Sequence, residues 1–593
     1  MLINVEIFQR TFLIAASLII SAVSLVQAAT VSPPSVHLYT VQAEDTLPRL
    51  ADKFYRDPAA WPAIWQATNA AAAKNPKITA LDTFYIVKPG QQLFVPLESE
   101  VEQLRAEFLA AHHQTLPIAS PQIRPISARW LAEFTAYVEE TRQHFAIPGV
   151  ALALVRDNQI ILAQGFGVRE LGRAEPVTPE TIFGIGSTTK AMNAMLVATL
   201  VDDGLLSWDQ PVTEIWPDFK LSDPAVTPQI RLRDLLNMSS GVRRADLDWS
   251  GTGMTAEEVM ASLATVPIVA PRGQYFNYNN QMVATGGYVA TLAAGGQYGN
   301  LANDYAALLQ KRIFEPMGMA SASLSIETAQ ANPNHATPHD FTLAGETIPT
   351  YYHTDPGITP AGGVNAHVLD MAKFLLTELN GGVTPQGVRV ASTENLAETW
   401  KPQIEIFEDY SYGMGWFVES YHDVEMIWHD GDVLGFKSLL TFIPEAKTGL
   451  VLLTNRTISI GFSNSIRYRL IEMLYDLEVE AGSQYKAQWD AFIDALPTIR
   501  EPLQARPAPA EVAAYLGRYS GGWLVEQRDD GTVWTVRGPY QWQLLSAGEG
   551  NFIINNGFGI TSEIQFTADA AGEMGMMIKL STGETGEFRR LEQ

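Results

Sequence analysis

Cysteine is absent from all 593 residues. Its absence excludes disulfide cross-links, thiolate metal sites, a cysteine nucleophile and lipid attachment through cysteine. Without disulfides the chain must rely on buried cores, and 46% hydrophobic residues supply the material. Basic residues are also in deficit, with 40 Lys and Arg against 65 Asp and Glu, a net charge of −25. A surface of that sign repels phosphate backbones and anionic headgroups, which argues against nucleic acid and membrane surfaces as partners. Long apolar runs are scarce too. One stretch, Thr11 to Val26, follows Arg10 and precedes Gln27-Ala28-Ala29. It is short for a span of ~20 residues, and Val26-Gln27-Ala28 suits signal peptidase. Residues 1–28 are therefore read as a signal peptide, placing the chain outside the cytoplasm: secreted, periplasmic or associated with the cell wall. No repeat of fixed period, Gly-rich phosphate loop or metal-ligand spacing is present, so neither a metal nor another cofactor is expected.

A chain of this length holds three or four units of ~150 residues. Proline-bearing stretches, Leu116 to Pro125 and Pro502 to Ala510, favour extended connections and mark the boundaries. The reading is a module over 35–97, a helix and linker over 98–125, a central domain over 126–480, a linker over 481–510 and a last domain over 511–593. The first module opens with a strand at Leu38 to Val41. Asp45 or Thr46 is placed to cap a helix carrying Leu47, Leu50, Ala51 and Phe54 on one face. A second helix, Ala60 to Asn69, bears Trp61, Ile64 and Trp65, and the turn Lys88-Pro89-Gly90 leads into a closing strand. The last domain alternates apolar and polar residues in short runs between Asp-Gly and Gly-rich turns, the pattern of an antiparallel barrel or sandwich.

The chemistry lies in the central domain. Phe183-Gly-Ile-Gly-Ser-Thr-Thr-Lys190 opens a helix whose Met192, Met195, Leu196 and Leu200 are spaced for burial. A serine at a helix start has free backbone N–H groups and a positive dipole end beside it, both suited to an oxyanion. Lys190 follows Ser187 by one turn on the same face, and a desolvated lysine is easier to deprotonate. Such a pair is common by chance, so its company matters. Tyr278-Asn279-Asn280 is one companion. There a tyrosine beside an ammonium group would favour its phenolate and take the serine proton, while Asn280 would reach Lys190 and a substrate amide. Tyr275 competes for the tyrosine role, but the helical pattern continues from Tyr278. Trp428-His429-Asp430-Gly431-Asp432 is the other companion, with a histidine able to bind a substrate carboxylate or carbonyl, or to help balance the charge on Tyr278, and a glycine that permits close approach. The N–H of Asp432 would be the second oxyanion donor. A literal Lys447-Thr448-Gly449 is set aside as a turn between strands.

Together these residues resemble the superfamily of class C β-lactamases, penicillin-binding proteins and related serine esterases. Ile230 to Gly241, Pro360-Ala-Gly-Gly363, Asp370 to Phe374 and Tyr412-Gly-Met-Gly-Trp416 agree with it in order. The resemblance implies an α+β fold: an antiparallel sheet flanked by helices, a helical subdomain, and a site between them. His429-x-Gly431 stands where penicillin-recognising relatives carry Lys-Thr-Gly. The module over 35–97 resembles LysM, implying a small βααβ fold that binds cell-wall glycan through Asp45, Thr46, Trp65 and Asn69. The C-terminal strands resemble the all-β domains appended to such hydrolases. The resemblance implies a Ser187 acyl-enzyme acting on an ester or a D-amino-acid peptide or amide. The competing readings are a true β-lactamase or D,D-carboxypeptidase, and an inactive wall-bound protein that senses muropeptides.

Overall fold

The computed structural model describes residues 123–591 apart from 408, 556–561, 570–571 and 581–583. Of the preceding region it describes 38–41, 47–55, 60–73, 78, 81, 91–97, 99–101 and 103–104. The signal segment 1–28, Asp45, Thr46 and most of the first proline-bearing linker lie outside the described residues. The chain divides into two compact units that meet in sequence at about residue 122.

In the first unit, β1 (Tyr39–Thr40) pairs antiparallel with β2 (Gln92–Leu93), and helices α1 (Leu47–Tyr55) and α2 (Trp61–Ala72) lie between them in sequence. Leu47, Leu50, Ala51, Ile64 and Leu93 form its core, with Trp61 and Trp65 half-buried against them. Asn69 spends both ends of its amide on the Leu81 backbone, accepting from its N–H at 2.6 Å and donating to its carbonyl at 3.2 Å. Trp65 and Asn69 thus have structural partners within their own unit.

The second unit starts with α3 (Ala128–His144), capped by Ser127 and buried along Trp130, Phe134, Val138 and Thr141. Strands β3 (Gly149–Arg156) and β4 (Gln159–Gly167) follow, joined at Asp157 and Asn158, both with positive φ, as a two-residue hairpin requires. The sheet is completed late in the chain by β5 (Ile404–Phe407), β6 (Tyr410–Tyr412), β7 (Phe417–Tyr421), β8 (Val424–Val433), β9 (Phe436–Ile443) and β10 (Thr448–Thr454). Its eight antiparallel strands run β4-β3-β10-β9-β8-β7-β6-β5. The register puts Ile427, His429, Gly431, Phe442 and Gly449 on one face. On that face Gly449 meets Leu375 of helix Val368–Leu379, and Gly431 meets the turn that carries Ser187. Trp428 points to the other face, where Arg467 of helix Ile460–Tyr475 stacks on its ring at 3.7 Å.

The helical subdomain supplies α4 (Thr189–Asp202), buried from Thr189 through Leu200, and α5 (Asn280–Ala293). Both are apolar around nearly their whole circumference, as helices enclosed on every side must be. The expected linker over 481–510 is corrected in its first part, because Ala481–Arg500 is a helix. Tyr485, Trp489, Phe492 and Leu496 fall at helical spacing and are buried, and that burial outweighs the local proline content.

Eight consecutive antiparallel strands, from Gly517–Tyr519 to Thr585–Arg589, form the C-terminal sheet. Tyr519 also pairs with Arg590, closing the meander into a barrel. Aromatic side chains, Tyr519, Trp523, Phe552 and Phe566, fill it. Leu247, from the helical subdomain, is part of the same core.

Candidate active site

The site is assembled where the start of α4 abuts the exposed end of β8. Gly186, Ser187 and Thr188 form one tight turn before the helix. The turn is bolted to the sheet: Thr188 and Ser438 hydroxyls both donate to the Ile185 carbonyl, at 2.8 and 2.6 Å. β7 stops opposite Trp428, so residues 429–433 of β8 have no strand on that side, and the Ser187 turn takes its place. A Cβ on Gly431 would sit 2.1 Å from the Ile185 carbonyl and 2.8 Å from the Ser187 nitrogen. Gly186 has φ +51°, and a Cβ on it would sit 2.8 Å from the Asp432 carbonyl oxygen and 2.9 Å from the Asp432 nitrogen. Two glycines therefore let two stretches of backbone touch. In the two-residue hairpin closed by Val433 and Phe436, Asp432 occupies a non-hydrogen-bonded position. Its N–H faces away from β9, toward Ser187. Gly431→Ala is expected to cost on the order of 10²–10³ in kcat, the size of a lost oxyanion donor, together with a lower Tm. Kinetics and calorimetry on the same sample read both.

Lys190 Nζ lies 2.8 Å from Ser187 Oγ and 2.7 Å from the Ala361 carbonyl. Its side chain is wholly buried. Burial holds its pKa well below 10.5, with Arg244 pushing the same way and Asp246 and Asp430 opposing. The amine is thus poised to accept a proton. Tyr278 hydrogen-bonds Ser187, and its ring lies 4.9 Å from Lys190 Nζ. Here the sequence expectation of a favoured phenolate is corrected. Burial raises the Tyr278 pKa above 10, and the Ser187 hydrogen bond and Arg244 only partly offset it. Desolvation disfavours the charged form of both groups, so burial works against an ammonium–phenolate pair. Tyr275 is 59% exposed, which removes it from consideration.

Asn280 is the first residue of α5, and its amide donates to Asp246 Oδ1 at 3.3 Å. It reaches Asp246 in place of the expected Lys190. His429 is fully buried and contacts the ring of Tyr278, at 6.3 Å between centroids. Its Nδ1 lies 2.5 Å from the Asp430 carbonyl and its Nε2 3.1 Å from Tyr412 Oη. A carbonyl only accepts, so Nδ1 carries the proton and Nε2 accepts from the tyrosine. Burial lowers its pKa to about 4, opposed by Asp430. A neutral, enclosed imidazole is not placed to grip a substrate carboxylate, so that expectation is corrected. His429 does lie against Tyr278, the other expected role, but as a neutral packing partner without charge to balance. Histidine-labelled NMR should find His429 neutral and Nδ1-protonated from pH 5 to pH 8. A titration near 6.5 would contradict this assignment.

The Asp432 carboxylate, with Asp430, pairs with Lys437, each at 2.5 Å. Lys447 sits in the turn at the far end of β9, with φ +45°. Lys447→Ala should leave turnover unchanged in the same assay.

Sequence reasoning missed Arg244 and Asp246. Arg244 pairs with Asp246 at 2.6 Å and lies 5.4 Å from the Tyr278 ring. It also missed the Ala361 carbonyl and Tyr412, although both sit in stretches that carried the resemblance. Backbone acceptors leave no compositional signal, and Arg244-x-Asp246 looks like any surface pair.

The beta-lactamase family model matches residues 134–472, more than half of the chain. The unguisins hydrolase of Aspergillus campestris is 26% identical over 65% of this chain and 75% of its own length. Penicillin-binding protein 4 of Amycolatopsis lactamdurans is 26% identical over 66% of this chain and 97% of its own. Among solved structures, the octameric penicillin-binding protein homologue of Pyrococcus abyssi superposes with a TM-score of 0.52 at 23% identity. That match covers 78% of this chain and all of the other.

Proposed function

Since this chain belongs to the beta-lactamase family and is a serine hydrolase, we propose that it forms an acyl-enzyme on Ser187 from an ester or a D-amino-acid-containing peptide or amide. The observation that carries this reading is the buried Lys190 amine 2.8 Å from Ser187 Oγ. In acylation the neutral amine takes the serine proton as Oγ attacks the carbonyl. The N–H groups of Ser187 and Asp432 hold the oxyanion. Tyr278 gives its proton to the leaving group and regains one from the Lys190 ammonium. Water then repeats the sequence to release the acyl group and restore Ser187. The lack of a free cation at His429 favours ester, amide or peptide substrates over β-lactams, whose carboxylate wants such a partner. Relatives named an unguisins hydrolase and a penicillin-binding protein support the reading of a hydrolase of this family.

Export by residues 1–28 and glycan binding by the first unit complete the proposal, and they place the enzyme at a cell wall. A panel of nitrophenyl esters, D-amino-acid amides and nitrocefin tests the substrate class. Turnover of nitrocefin above the other two would favour a β-lactamase. Retention of the full chain on insoluble peptidoglycan, competed by N-acetylglucosamine oligomers, tests the wall contact.

A further inference from the structure

A short segment of the catalytic domain, the one that carries Arg244, is built into the C-terminal barrel. The four-residue helix Asp246–Trp249 begins two residues after it. Leu247 is buried in the barrel core, and Arg537 of the barrel donates to its carbonyl at 2.5 Å. The backbone N–H groups of Asp246 and Leu247 both donate to one barrel residue, Glu584, at 3.0 and 2.7 Å. The Glu584 side chain is only 2% exposed, and the Arg243 guanidinium lies 3.9 Å away. A second clamp holds the same stretch: Asp355 accepts from the Gly251 N–H and from Tyr540 of the barrel, both at 2.8 Å. From Asp246 the contacts continue to Arg244 and from Arg244 to the ring of Tyr278. A carboxylate of the barrel is therefore two side chains away from the proton-transfer group.

Resting on the roles given above to Ser187, Lys190 and Tyr278, we propose that the C-terminal barrel is a positioning part of the catalytic site. Glu584 fixes the Arg244–Asp246 turn, and Arg244 is the cation that tunes Lys190 and Tyr278 for proton transfer. Arg244 lowers the proton affinity of both groups, while Asp246 and Asp430 raise it. His429, beside Tyr278, stays neutral and does not contribute. The cation's effect falls with distance, so a turn released from Glu584 weakens it. Glu584 itself faces Asp246, Arg243, Arg244 and Arg537, and burial lifts its pKa to about 7.

The test compares wild type, Arg244→Ala, Glu584→Ala and Glu584→Gln as full chains with a nitrophenyl ester. It measures kcat, KM, the pH profile of kcat/KM, and the fraction of Ser187 titrated by a fluorophosphonate. Arg244→Ala and Glu584→Ala should lose roughly ten- to hundredfold in kcat with KM little changed. In both, the acid limb should move to higher pH, because losing the cation favours the protonated amine. Glu584→Gln, which keeps an acceptor oxygen, should recover most of the rate. The proposal is overturned if kcat falls only in step with titratable Ser187 while the limb stays put, since that is a folding defect. It is equally overturned if folded Glu584→Ala matches wild type. Should Glu584→Ala not fold, Arg244→Ala carries the limb shift alone, because the Glu584 cap is intact there. A wild type that takes no label would instead defeat the acyl-enzyme reading.

Discussion

Replacing Ser187 with alanine is expected to lower kcat by roughly 10³- to 10⁶-fold, the range seen when the nucleophile of a serine hydrolase is removed. Only a small polar group is lost. Lys190 keeps its bond to the Ala361 carbonyl, and the turn keeps its bolts through Thr188 and Ser438. The fold should therefore persist, with Tm close to wild type and KM for an ester substrate preserved. The combination matters, because a loss of activity with a loss of fold would say nothing about the nucleophile. Single-turnover kinetics should also lose the acylation burst.

Lys190→Met comes next in size, with an expected loss of about 10²–10⁴ in kcat, the usual worth of a general base. Its effect on stability should run the other way. Because burial lowers the Lys190 pKa, the unfolded chain binds a proton that the folded chain refuses. The penalty on folding is absent above pH 10.5 and grows as pH falls toward the lowered folded-state value, below which it is constant. Methionine fills a similar volume and removes the penalty. Lys190→Met should thus melt higher than wild type at neutral and acid pH, with the gap closing in alkali, as scanning calorimetry across pH can show. For activity the sign is simple: the free amine is the working form, so kcat/KM rises with pH through the Lys190 limb. A variant both less active and more stable marks a residue held in place for chemistry at a cost to the fold.

The sequence made some of this legible because burial and turn chemistry write themselves into residue type. The apolar spacing after Ser187 announced a buried helix, and the alternation of apolar and polar residues past Glu511 announced the short antiparallel strands of the last domain. Other features follow from contacts distant in sequence. Whether Tyr278 is phenol or phenolate depends on how much water reaches Lys190, and spacing does not encode this. For His429 the sequence left two roles open, a substrate ligand or a charged partner of Tyr278. Tyr412, seventeen residues earlier, decides otherwise. Ala481–Arg500 was masked by its proline-bearing neighbours, although Tyr485, Trp489, Phe492 and Leu496 carried the helical period. Glu584 lies 338 residues from the N–H it caps, so only the folded chain joins them.

The account turns on Ser187 as a nucleophile activated by Lys190. Intact-mass spectrometry of the folded full chain after exposure to a fluorophosphonate, and separately to a penicillin, tests this most directly. One adduct per chain with at least one reagent is expected, mapped by peptide digestion to Ser187, absent in Ser187→Ala and strongly slowed in Lys190→Met. A folded protein that takes neither label, or one labelled at another residue, would contradict the account.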